Sequence, residues 1–163
     1  MSDLALIKQY INDVLGERRT EFGGKHVCPF AGPELARDKL MIAEAGDKSL
    51  LQLIIDFKNS DYESALFVIR KSVSTDDTKA FQAFVNKILR SQGLKDYKNI
   101  CFNPNDKVEV DGFNPRSLAP YFMVNVAHKK VLSQASKILG NTNYYDNLPD
   151  EYLKFLRVKR SSK

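Results

Sequence analysis

The chain has 163 residues, 43% hydrophobic and 28% charged, a balance that suits one globular domain with a real core and excludes a disordered or membrane-embedded chain. No apolar run approaches the roughly 20 residues a bilayer crossing needs. The opening MSDLALIKQYINDV carries charges where a signal peptide would be apolar, so a soluble, cytoplasmic protein is expected. Twenty-five basic against 20 acidic residues give a net +5, part of it in Arg157, Lys159, Arg160 and Lys163. No aromatics interleave with a basic stripe, so this tail, 157–163, reads as solvated and flexible and nucleic acid is not the expected partner.

Residues 3–19 read as an amphipathic helix with Leu4, Ile7, Ile11, Val14 and Leu15 on one stripe. Phe22-Gly23-Gly24-Lys25 breaks the period, and His26 to Pro33 is a loop shaped by two prolines and a glycine around Cys28, with Pro33 suited to open a short helix through Arg37. Leu40 to Ala45 reads as a strand, Ser49 to Lys58 as a helix and Ala65 to Ile69 as a more apolar strand. Ser74 to Asp77 caps a helix running through Ser91, Gly93 stops it, and Tyr97 to Phe102 is a third strand. Asn103 to Asp106 is turn chemistry, and Lys107 to Val110 alternates like a short exposed strand.

Tyr121 to Val126 is rich in aromatic and branched residues, as a buried strand should be, and apolar residues then recur at helical spacing. A helix capped by Asn125 would set His128, Val131, Leu132, Ala135, Ile138 and Leu139 on one inward face, ending near Gly140. Leu148-Pro149-Asp150 leads into a last short helix, Glu151 to Leu156. The alternation predicts a single domain of the α+β (or α/β) class, with a small three- to five-stranded sheet packed against helices.

Candidate chemistry gathers in two segments. His128 on an apolar face is a metal ligand, a general base or a satisfied core residue. Cys28 is a buried thiol or a reactive one, with His26 two residues away on the same side of an extended segment. The Cys28-Pro29 pair also matches a short heme-contact pattern. Arg116, after Asn114-Pro115, has the bidentate fork to clamp a carboxylate or a heme propionate, or is a surface loop arginine. Tyr121, Tyr144 and Tyr145 are expected to pack with their hydroxyls at the surface or in a polar pocket. Cys28 and Cys101 lie far apart with no metal-type pairing, so reduced thiols are expected.

Cys28-Pro29-Phe30-Ala31, followed by a strand, resembles the Cys-x-Phe-Ala stretch of the bacterial YqcI/YcgG-type family, which includes heme-dependent guanidine N-oxygenases. Ala119 to His128 resembles that family's later Pro-x-Leu-Val-Phe-Asn-x-His stretch, in the same order along the chain. A second, uncharacterised bacterial family with a Leu-Cys-Pro-Phe-Ala start is also similar, through Cys28 to Ala31, Cys101 to Pro104 and Asn114 to Ser117. The first resemblance implies a heme, with His128 as its axial ligand and Cys28, Phe30, Phe122 and Asn125 around it. It further implies an iron-dependent monooxygenase that oxidises the nitrogen of a small amine or guanidine, with Cys28 and Arg116 acting on substrate. A small-molecule substrate and no membrane are the expected partners, and a homodimer is compatible. Two other functions fit the residues: a thiol enzyme in which Cys28 attacks and His26 or His128 takes the proton, and a non-catalytic binding module.

Overall fold

The computed structural model describes residues 2–156 and Val158. Its spine is a four-stranded sheet in the order β3 (Leu40–Ala45), β4 (Ser64–Ile69), β6 (Phe122–His128), β5 (Tyr97–Phe102). β3 and β4 run parallel, joined by α3 (Leu50–Lys58), while β6 is antiparallel to both β4 and β5. The strand that comes last in sequence therefore slots between two earlier ones, and β4 reaches β5 through α4 (Thr78–Ser91) across it. β1 (Arg18–Arg19) and β2 (Lys25–His26) form a separate antiparallel pair.

Both sheet faces are covered, which is why Ser64-Ala-Leu-Phe-Val68 is buried without alternation. On one face Ala65, Phe67, Phe122, Val124 and Val126 pack against Leu53, Ile54 and Phe57 of α3 and Val85 and Leu89 of α4. On the other, Leu40, Leu66, Val68 and Met123 meet α1 (Asp3–Tyr10), the turn Ile11–Leu15, Phe22, Val27, and Tyr152 and Leu153 of α6 (Asp150–Leu156). α2 (Ala31–Ala36) and α5 (Lys129–Gly140) flank this second face. The result is a single mixed α+β domain. Among the described residues no helix is long and apolar enough to cross a membrane.

Three boundaries differ from the sequence reading. The first helix stops at Leu15 after a wide π turn, in which the Gly16 N–H reaches the Ile11 carbonyl at 2.8 Å. A Cβ at Gly16 would lie 2.7 Å from the Asn12 carbonyl, so glycine alone fits there. Lys107 to Val110 is not a strand: only Val110 makes a bridge, to Phe113, and its side chain is buried. Most consequentially, β6 continues past Asn125 to His128, and Lys129 begins the helix. An interior strand is hydrogen-bonded on both sides, here to β4 as far as the Ala127–Ser64 pair and to β5 as far as the His128–Tyr97 pair, and that pairing outweighs the local capping preference of Asn125. Of the basic tail, only Val158 belongs to the described residues.

Candidate functional site

β6 presents Met123, Asn125 and Ala127 to the face opposite Phe122, Val124 and Val126. Asn125 and Ala127 are short for a sheet centre, and α5 answers them with Leu132 and Ser136. The space left unfilled is a cavity with two adjoining lobes of about 90 and 50 Å³. Leu15, Cys28, Phe30, Phe102, Asn125 and Leu132 line both lobes. Tyr144, Tyr145, Tyr152 and Phe155 close the larger one, and Glu34 borders the smaller.

The Cys28 loop is pinned rather than mobile at its base. The Cys28 N–H donates to the Leu15 carbonyl at 2.7 Å, and the Tyr144 hydroxyl donates to the Val27 carbonyl at 2.5 Å. Burial pushes the thiol pKa up, outweighing the backbone N–H groups of Phe30 and Ala31 that donate to sulfur, and nearby Glu34 pushes the same way. Burial likewise raises the Glu34 carboxyl, against the Ser64 hydroxyl that donates to it at 2.5 Å. The thiol is therefore held in its neutral form near pH 7, unlike an activated nucleophile. No hydrogen bond joins Cys28 to His26 or His128 among the described residues, and the His26 Nδ1 lies 2.6 Å from the Gly16 carbonyl.

Asn125 donates through Nδ2 to the Ala65 carbonyl at 3.0 Å, while its Oδ1 has no partner among the described residues. Arg116 is only 3% exposed and is not a surface loop residue. Its Nη1 pairs with Asp106 at 2.8 Å, and its plane lies over the Phe155 ring at 4.0 Å and the Tyr152 ring at 5.5 Å. Nε and Nη2 are buried with no acceptor among the described residues. Burial lowers the Arg116 pKa, against the charge of Asp106. Around it Tyr10, Tyr144 and Tyr152 are all raised by burial and stay protonated, Tyr10 donating to the Pro115 carbonyl at 2.7 Å.

Cys28, Phe30 and Asn125 are thus brought together, with Arg116 one aromatic ring away. His128 and Phe122 are not with them. Phe122 packs among the α3 and α4 side chains, with Phe81 at 5.2 Å. His128 ends the same sheet face, stacked edge-on against Tyr97 at 5.0 Å, and its Nδ1 accepts the Lys130 N–H at 3.0 Å as the N-cap of α5. The expected inward imidazole on a helix face is corrected accordingly: His128 is the last strand residue, and α5 buries Ala135 while Val131 and Ile138 are 43% and 68% exposed.

A heme held by His128 over a Cys28 pocket does not fit these residues, because the sheet separates the two and the cavity is far below the roughly 300–1,000 Å³ of drug-sized ligand sites. Among the described residues no group of three or more His, Cys, Asp or Glu side chains is arranged to hold a metal ion. The chain matches no protein-family model, no curated protein and no solved structure to which it was compared. Of the two segments that carry the family resemblance, the Cys28 loop and Asn125 share one face of the sheet, while Phe122 and His128 lie on the other.

Glu34, Tyr152 and Phe155 were missed as site residues. Glu34 shares the Pro- and Gly-shaped segment with Cys28 and was legible as a carboxylate among apolar neighbours. Tyr152 and Phe155 carry no local signal, since their helix reads as an ordinary amphipathic end.

Proposed function

We propose that this domain binds a small, mostly apolar molecule in the cavity between the Asn125 face of the sheet, the Cys28 loop and α6, without using Cys28 as a nucleophile. The observation that carries this reading is Asn125, a carboxamide at the middle of an interior strand, bonded on one side only. Asn125 is half-buried at the cavity wall, and a ligand's O–H or N–H can donate to its Oδ1. An apolar wall with a few converging polar groups is the usual make-up of a ligand site. The two lobes, about 90 and 50 Å³, suit a ring-sized molecule, since an engineered apolar cavity of ~150 Å³ holds benzene.

The raised thiol and the lack of an imidazole bonded to it favour binding over thiol chemistry. Saturation-transfer NMR with benzene and phenol tests the reading. Both should receive transfer from the wild-type chain, phenol more strongly; Asn125→Leu should remove the phenol preference and Leu132→Trp should abolish both signals. No transfer to either probe from the folded wild type would overturn it.

A further inference from the structure

The Arg116 guanidinium is the least satisfied polar group described in this protein. It is 3% exposed, and among the described residues it has one carboxylate partner on Nη1 while the buried Nε and Nη2 donors have no acceptor. Those two atoms form the edge of the guanidinium that grips a carboxylate by two parallel bonds, so Asp106 leaves the better binding edge free. Leaving two charged donors unpaired in the interior is costly, and retaining them is explained if an acceptor arrives from elsewhere.

Phe155 shows from where. Its ring lies 4.0 Å from the guanidinium carbon, and the same side chain lines the larger lobe of the cavity, whereas Arg116 does not. Phe155 is therefore the wall between lobe and guanidinium, one side chain thick, on the short C-terminal helix α6. Phe102 and Tyr152 touch the ring only edge to face, at 5.7 and 5.3 Å. The ring covers the guanidinium, so its rotation would open the lobe toward Arg116.

We infer that Arg116 is the anion-binding end of the cavity and Phe155 its gate, and that the ligand is a compact monocarboxylate with an apolar body. The inference rests on the cavity-binding function proposed above and names its ligand class. The apolar body lies against Leu15, Phe102 and Leu132, and the carboxylate accepts from Nε and Nη2 once the ring has moved.

Calorimetric titration of the full chain with benzoate and with benzamide, its neutral isostere, tests this. The wild type should bind benzoate about tenfold more tightly or better, the discrimination expected when a charge-assisted pair replaces a neutral contact. Arg116→Gln should bring benzoate down to the benzamide level while benzamide changes little. Asp106→Asn, which keeps the guanidinium and frees it of its competing carboxylate, should strengthen benzoate selectively and covers the case in which Arg116→Gln fails to fold. Equal affinity of the wild type for the two probes, or a benzoate preference that survives Arg116→Gln, overturns the inference and leaves the cavity function standing. Binding of neither probe overturns both.

Discussion

The two faces of the sheet are built to different standards. Against α3 and α4 the packing is dense, with Phe67, Val85, Val124 and Val126 fully buried, and the buried polar groups are matched: Asn99 donates to Gln82 and Asn86, and Asn103 to Val73, Ser74 and Thr78 while accepting from Asn105. The opposite face is covered by a π turn, a loop and the helices α1, α2, α5 and α6, and among the described residues it holds a cavity, a carboxamide with an unbonded oxygen and a guanidinium with two orphaned donors. Regular helices close-pack a twisted sheet, whereas irregular cover leaves gaps. The polar imperfections sit beside the gap, where a ligand can complete them.

The contrast breaks or sharpens under mutation. Phe67→Ala on the dense face should cost about 3–5 kcal/mol in urea unfolding, whereas Leu132→Ala, at a cavity wall that already lacks neighbours, should cost clearly less. Comparable losses would mean the faces are equally tight. Asn103→Ala should cost about 1–3 kcal/mol, since it strands the groups it bonds, while Asn125→Ala should cost less than Asn103→Ala in the ligand-free chain. A larger loss at Asn125 would show that its single bond matters more than its unmatched oxygen.

His128→Ala should cost about 1 kcal/mol as the loss of an N-cap, and His128→Asn should recover most of it, measured by thermal unfolding. Asparagine failing to rescue would point to the Tyr97 contact instead. Glu34→Gln should have the smallest effect on stability, and its sign depends on pH. The Glu34 carboxyl is raised by burial, so the folded state holds its proton more tightly than the unfolded chain, and stability falls as pH rises from the ordinary carboxylate range through the raised value. The glutamine variant should lack that fall and match or exceed the wild type above it. At Cys28, iodoacetamide should react at pH 7 more slowly than with a free thiol, with a midpoint above the usual ~8.5. A midpoint below it would revive the nucleophile.

How much of this was legible can be traced residue by residue. Leu40 to Ala45, Ala65 to Ile69 and Tyr97 to Phe102 are apolar runs bounded by turn residues, and each is a strand within a residue of its expected place. α3 is capped by Ser49 as expected, so local hydrogen bonding and hydrophobic period agree there, whereas α4 starts at Thr78 with no side-chain cap bond from Asp77, after a turn in which Ser74 accepts the Asp77 N–H. Where local signals competed with pairing partners distant in sequence, they misled. Asn125 is a good helix cap in isolation, yet with β4 on one side and β5 on the other it is a strand residue, and that shift of register turned His128 away from Cys28.

The sequence by itself determined the class of the domain, the positions of most elements and the prominence of Cys28 and Arg116, because periodicity, caps and turn residues act within a few positions. Only the tertiary structure decided that β6 lies between β4 and β5, that His128 and Cys28 face away from each other across it, and that Arg116 is buried behind Phe155. Side chains in a strand alternate by single residues, so which face each one meets depends on where the strand ends and what pairs with it, and those are properties of the whole chain.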